Sequence, residues 1–76
     1  MKAALYAPWP TQVTAAGGRP QALEGVAVSA VREEWLVDDR WWSEAPIRRH
    51  YFELVLADGR CLVVFRERGR WFEQRA

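Results

Sequence analysis

Residues 47–66 read Ile-Arg-Arg-His-Tyr-Phe-Glu-Leu-Val-Leu-Ala-Asp-Gly-Arg-Cys-Leu-Val-Val-Phe-Arg, and they carry the clearest structural signal in the sequence. Runs rich in β-branched and aromatic residues flank Asp58-Gly59, and such an arrangement is the strongest short-range signal for a β-hairpin. A two-residue loop at this turn pairs Ala57 with Arg60 and sets the register of both strands. This register predicts one wholly apolar face, which must be core, made of Phe52, Leu54, Leu56, Cys61, Val63 and Phe65.

The opposite face of the predicted hairpin is mixed, and the chain continues into a third strand. The mixed face pairs Val55 with Leu62, Glu53 with Val64, and Tyr51 with Arg66. A second turn at Arg68-Gly69 leads into residues 70–74. A two-residue loop there places Phe72 on the apolar face and Trp71 on the mixed face, whereas a three-residue loop with a bulge exchanges those roles. Either loop gives a three-stranded meander at the C-terminus.

The N-terminal half gives weaker signals. Pro8 and Pro10 flank Trp9 and favour extended backbone, so we expect an arm over residues 1–10 ahead of a single β domain over residues 11–76. A free arm that binds a partner and a terminus that folds onto the core are both compatible with this pattern.

Residues 11–37 are expected to supply the remaining strands. Gly17-Gly18 predicts a tight turn between two short strands, because both glycines tolerate positive φ. Residues 26–37 contain four valines and favour a strand, although part of their spacing also fits a short helix near residues 26–36. The predicted fold class is therefore all-β, a small antiparallel twisted sheet or partly open barrel of about five strands.

Composition limits how so small a domain is held together. The chain has 76 residues, which is the size of one domain. It has one cysteine and one histidine, so neither an intramolecular disulfide nor a structural zinc site is expected. Five tryptophans, three phenylalanines and two tyrosines provide apolar surface whose burial can stabilise the fold in place of a disulfide or a metal.

No targeting or membrane segment is predicted. The N-terminus lacks a basic segment followed by an apolar one, and the longest apolar run, residues 61–65, is far too short to cross a membrane. We therefore expect a cytoplasmic protein with no membrane partner. The net charge of +1 is too small to indicate nucleic acid as the principal ligand.

The sequence contains no pattern typical of an enzyme or of a cofactor site. Cys61 is expected to be an inert core thiol, and His50 to be an imidazole near a strand end. The acidic pairs at residues 33–34 and 38–39 do not predict a metal site, because adjacent carboxylates on a strand point to opposite faces. We therefore expect a protein that binds a partner without catalysis, metal or cofactor.

The candidate binding surface is aromatic and basic. Tyr51, Arg66 and Trp71 are predicted neighbours on the mixed face, and Trp42, Arg48 and Arg49 lie close to it in sequence. Such a set is typical of a protein-binding hot spot. It also fits single-stranded nucleic acid, whose bases stack on aromatic rings, or a cation–π contact within the chain. An exposed strand that pairs across a homodimer is a further hypothesis.

A set of motifs carries a resemblance to a known family. They are Gly18-Arg19-Pro20, Arg32-Glu33-Glu34-Trp35, Trp41-Trp42, residues 48–55, Asp58-Gly59-Arg60, Val64-Phe65-Arg66 and Gly69-Arg70-Trp71-Phe72. The pattern covers residues 17–75 and resembles a small bacterial family of unknown function. It also resembles the C-terminal segment of the inactive, Y-family-polymerase-like subunits of the bacterial mutasome.

This resemblance implies an all-β accessory module of DNA-damage tolerance by translesion synthesis. In the larger relatives the module follows a polymerase-like body, and the implied role is to hold protein partners together. The sequence contains no such body, and residues 66–69 form a shorter segment than the relatives lead one to expect.

Overall fold

The computed structural model of the chain describes residues 8–39 and 47–74. These residues form one antiparallel sheet that curls into a half-barrel, with strand order β1-β7-β6-β5-β4-β3-β2. The strands are β1 (Pro8–Pro10), β2 (Val13–Ala16), β3 (Arg19–Leu23), β4 (Val26–Asp39), β5 (Ile47–Leu56), β6 (Cys61–Glu67) and β7 (Arg70–Gln74). The predicted all-β class is confirmed, with seven strands in these residues where about five were expected. The short helix considered near residues 26–36 is instead part of β4.

The β5–β6 turn differs from the prediction by one residue. Val55 lies opposite Cys61, and the amide of Leu56 donates to the carbonyl of Arg60 at 2.8 Å, so the loop has three residues. Gly59 has a φ of +91°, whereas Asp58 is not among the residues with positive φ. A type I′ turn needs positive φ at both central residues and is therefore excluded. The Asp-Gly signal also fits a three-residue loop with glycine in the left-handed region, which is the loop formed here.

This one-residue shift moves every side chain of β6 to the other face of the sheet. Val64 lies opposite Phe52, and Phe65 lies opposite Tyr51. The predicted burial of Cys61 is therefore wrong, because Cys61 faces Val55 and is exposed. We call the two sides the core face, with Phe52, Leu54, Leu56, Leu62 and Val64, and the aromatic face, with Tyr51, Val55, Cys61, Val63 and Phe65.

The hydrophobic core lies on the concave side of the half-barrel. Its buried cluster consists of Leu23, Phe52, Leu54, Leu56 and Val64. Partly buried residues from four strands pack against this cluster, namely Val13, Val26, Val28, Val31, Leu62 and Trp71. Residues from β2 and β3 thus close the core face against β5 and β6.

Two irregularities in β4 explain its ambiguous sequence pattern. The register with β5 shifts between Val28 and Ala30 and again between Val31 and Glu33, which is the signature of β-bulges. Val31 therefore faces the core opposite Leu54, whereas Trp35 lies on the aromatic face opposite Tyr51. Bulges increase the bend of a strand, and here they accompany the curl of the sheet.

The last hairpin has the two-residue loop that the sequence left open. Arg68 and Gly69 have φ values of +53° and +78°, and Phe65 pairs with Phe72 as predicted for that loop. Because β6 is reversed, however, Phe72 lies on the aromatic face and Trp71 on the core face. At the far side of β7, β1 pairs with it and places Pro10 opposite Phe72. The rest of the predicted arm, residues 1–7, lies outside the described residues.

Candidate functional site: an aromatic face and a basic cavity

The predicted binding residues do not form one surface. Tyr51 lies on the aromatic face opposite Phe65, whereas Arg66 and Trp71 pair with each other on the core face. The expectation that these three are neighbours is therefore wrong, and the one-residue shift in the β5–β6 register is the cause. Arg48 lies opposite Asp38 and is on the core face with Arg66. Trp42 lies outside the described residues.

A row of four aromatic rings crosses the aromatic face from strand to strand. Trp35, Tyr51, Phe65 and Phe72 occupy directly opposed positions on β4, β5, β6 and β7. Successive ring centroids lie 5.2, 5.0 and 5.2 Å apart, and the planes of Trp35 and Tyr51 differ by only 4°. These spacings are those of favourable aromatic pairs. We call this set the aromatic row.

Arg49 lies on top of the aromatic row. Its guanidinium carbon is 4.5 Å from the Phe65 centroid, and it donates hydrogen bonds to Tyr51 Oη at 3.3 Å and Glu67 Oε1 at 2.9 Å. Burial disfavours its charge, but the hydrogen bonds to Tyr51 and Glu67 outweigh this, and the pKa of Arg49 is raised. Arg49 thus helps to bury Phe65, which has no exposed surface.

The aromatic row still presents ring surface to solvent. Trp35 is 38% exposed, while Tyr51 and Phe72 are only partly buried. Sequence reasoning identified Tyr51 and placed Arg49 close in sequence to its face, but it missed Trp35 and Phe72. For Arg49 a usable signal existed, because residues two apart on a strand share a face and Arg49 stands two before Tyr51.

Two glutamates lie beside the aromatic row. Glu33 and Glu53 are directly opposite each other on β4 and β5, one position along from the Trp35–Tyr51 pair on the same face. Neither carboxylate forms an ion pair with another residue of the described ranges. Like charges directly opposite on neighbouring strands destabilise a sheet. We call these two residues the acidic pair.

A basic cavity of about 490 Å³ opens on the core face, at the end where β5 begins and β6 ends. Its lining consists of Leu36, Arg48, Arg49, His50, Arg66, Arg68 and Gly69. His50 Nε2 lies 2.6 Å from Glu34 Oε2, and Arg48 Nε lies 3.6 Å from Asp38 Oδ1. Arg66 and Arg68 form no ion pair with any described residue, although the Arg66 guanidinium is 5.9 Å from the Trp71 ring. The cavity therefore carries unneutralised positive charge.

Other functional signatures are scarce in the described part of the chain. Within residues 8–39 and 47–74 no group of three or more His, Cys, Asp or Glu side chains is placed to hold a metal ion. The same residues contain no helix long and apolar enough to cross a membrane. No model of a known protein family, no curated protein and no solved structure matches the chain.

Proposed function

We propose that this chain is a non-catalytic protein-interaction module that binds its partner through the aromatic face. The observation that supports this most strongly is the partly exposed aromatic row beside the acidic pair. The core face has its own buried cluster, and the aromatic row lies on the other face, where Trp35, Tyr51 and Phe72 keep exposed surface. Aromatic residues are enriched at protein interfaces.

The aromatic row has the composition and rigidity of an interaction hot spot. Tryptophan, tyrosine and arginine dominate such sites. The aromatic row contributes Trp35 and Tyr51, and Arg49 lies on top of it. Each ring packs against its neighbour, so little side-chain freedom is left to lose when a partner binds. Preorganisation of this kind increases affinity without additional contacts.

The charge beside the row favours protein over nucleic acid on this face. Glu33 and Glu53 repel phosphates, whereas they attract lysine or arginine. The partner segment we propose therefore carries an apolar side chain that packs on Trp35 and Tyr51, followed by a basic residue. A base stacked on the same rings would bring its backbone phosphates toward two carboxylates.

The acidic pair also indicates a function beyond stability. Two glutamates in direct cross-strand opposition cost stability that an uncharged or oppositely charged residue would recover. Stability given up at one surface position is a common accompaniment of binding sites. Binding of a basic group between the two carboxylates explains their presence.

Among possible partners, the proteins of translesion synthesis are the first to test. The resemblance to the C-terminal segment of the polymerase-like mutasome subunits motivates this choice. In our proposal the module is an accessory that links such a subunit to another replication protein.

The test measures direct binding of purified mutasome subunits from the source organism to the immobilised chain. We expect Glu33→Lys to abolish binding while the circular dichroism spectrum is unchanged. Gln21→Lys, which adds positive charge at an exposed position of β3, is the control and should bind normally. If Glu33→Lys binds as well as the native chain, the aromatic face is not the contact surface. If no mutasome subunit binds, that partner is wrong.

A single-stranded nucleic acid is the second candidate, and the basic cavity favours it. Arg66 and Arg68 are free to contact phosphates, and Leu36, which is 74% exposed, offers apolar surface at the rim. Fluorescence anisotropy with labelled oligothymidine tests this candidate. Binding that falls steeply with salt and is lost in the Arg66→Ala/Arg68→Ala double variant would support it. Absence of binding at low salt would eliminate it.

A further inference from the structure

Among the residues that the structure describes, strand β4 has an open edge over most of its length. Its pairing with β5 extends to Asp39, but on the other side β3 pairs with it only at Val26 and Ala27. From Val28 onward no strand of the described residues occupies that second edge. Open edges are templates for pairing with another chain, and the charged residues on β4 limit which chain fits.

The regular part of this edge restricts how two copies of the chain can pair. Glu33 to Asp39 pair with β5 one to one, without a bulge. In an antiparallel pair of strands, directly opposed residues point to the same face of the sheet. When the two strands are copies related by a two-fold axis, this condition holds only if the axis sets one residue opposite its own copy, and not if it passes between two successive residues. Only a few registers are therefore available.

Charge distinguishes among these registers. An axis at Glu33 or Glu34 sets that glutamate against its own copy, and an axis at Leu36 sets Glu34 against Asp38 of the second copy. An axis at Val37 leaves only five residues of the described strand paired. An axis at Trp35 avoids every like-charge opposition and places Arg32, at the bulge, opposite Asp38 of the second copy.

The register centred on Trp35 also continues the aromatic row. Trp35 is the last ring of the row, at the open edge, and it remains 38% exposed although it stacks on Tyr51. Across the axis its neighbour is Trp35 of the second copy. The two rows of rings then join into one row that crosses both sheets.

We propose that β4 is a dimerisation edge, at which a second copy of this chain pairs antiparallel about a two-fold axis at Trp35. This inference goes beyond the proposed function, because it concerns the edge of the sheet and leaves the aromatic face open. A dimer of this kind presents two copies of the aromatic row and the acidic pair side by side, which strengthens binding to a partner with repeated segments.

The first test measures molar mass by sedimentation across a dilution series. The native chain should approach twice its 8.8 kDa mass as concentration rises. Arg32→Asp alone and Asp38→Arg alone each set like charges opposite twice per dimer, and each should raise the dissociation constant about tenfold. The double variant Arg32→Asp/Asp38→Arg restores opposite charges and should dimerise like the native chain. Circular dichroism verifies that all three remain folded.

The second test determines the register by disulfide trapping. In a Cys61→Ser background, which removes the exposed native thiol, Glu33→Cys and Val37→Cys chains are prepared separately. The proposed register sets position 33 opposite position 37, at a separation that a disulfide spans. Mild oxidation should link a mixture of the two variants, whereas either variant alone should stay unlinked.

Each outcome decides the proposal. A monomer at all concentrations overturns it, and so does a dimer that is insensitive to the single charge reversals. Linking of Val37→Cys chains to one another shows a different register and also contradicts it. None of these results depends on partner binding, so they leave the proposed function to its own test.

Discussion

The two faces of the sheet bury aromatic side chains in different ways. On the core face, Phe52 belongs to a buried cluster that includes Leu23 of β3, and residues of β2 and β4 pack against this cluster. On the aromatic face, Phe65 is equally buried, and neighbouring rings and Arg49 contact it. The core face, on which other strands of the chain pack, serves folding, whereas the aromatic face leaves surface of Trp35, Tyr51 and Phe72 available to another molecule.

The largest effect is expected on the core face, from Leu54→Ala. Leu54 is fully buried, and truncation there should lower the free energy of unfolding by about 2–5 kcal/mol. Because a domain of this size is only marginally stable, the variant should lose its cooperative thermal transition or show it at a much lower temperature. A variant that melts within a few degrees of the native chain would contradict a core at this position.

A smaller loss is expected on the aromatic face, from Trp35→Ala. Trp35 makes one ring stack and is partly exposed. Its removal should lower the free energy of unfolding by about 0.5–1.5 kcal/mol for the lost ring pair, in addition to the effect of the apolar area that is no longer buried. Urea denaturation of this variant beside Leu54→Ala measures the difference between the faces. Equal losses would mean that the aromatic face is as essential to folding as the core face.

A change of opposite sign is expected from Glu33→Lys. The substitution replaces a like-charge opposition to Glu53 by an attractive pair, so the free energy of unfolding should rise by about 0.2–1 kcal/mol. Urea denaturation at low salt measures this gain, which should shrink as salt screens the pair. A loss of stability would show that Glu33 supports the fold and would remove one reason to assign it to binding.

The smallest effect expected is a pH dependence of stability that comes from Glu24, which is hydrogen-bonded to Thr11 and Gln12 just before β2. The Glu24 carboxylate accepts hydrogen bonds from the backbone N–H of Gln12 at 2.8 Å and from the Thr11 hydroxyl at 3.0 Å, and both lower the pKa of Glu24. A lowered folded-state pKa contributes stability above the ordinary glutamate pKa, and this contribution is lost as pH falls through the lowered value. Native chain and Glu24→Gln should therefore differ in stability at neutral pH and converge in acid. A constant difference across pH would contradict this role.

Much of the fold follows from local sequence signals, but the assignment of faces does not. The valines of β4, the Gly17-Gly18 turn and the Arg68-Gly69 turn predict the strands correctly. Asp58-Gly59 serves both a two-residue and a three-residue loop, and the choice between them depends on the packing of the whole sheet. That single residue decides whether Cys61 or Leu62 faces the core.

The candidate site was predictable only in part for the same reason. Aromatic and basic residues on a second face follow from the alternation within each strand, and Tyr51 was identified in this way. The register of the β5–β6 hairpin determines which residues of β6 and β7 share a face with Tyr51. With the register predicted from the sequence these are Arg66 and Trp71, whereas in the structure they are Phe65 and Phe72. The bulges of β4, which bring Trp35 into line with Tyr51, leave only an interrupted pattern in the sequence.

The most direct test of the central claim asks which face of the sheet touches the partner. A photoreactive benzophenone amino acid replaces Phe72 on the aromatic face in one chain, and Arg66 on the core face in another. Irradiation of each in cells of the source organism, followed by mass spectrometry, identifies the crosslinked proteins. We expect a discrete protein to crosslink at position 72 and weakly or not at all at position 66, and we expect Glu33→Lys to abolish the crosslink at position 72. Crosslinking at position 66 alone would place the contact on the core face and refute the proposed function.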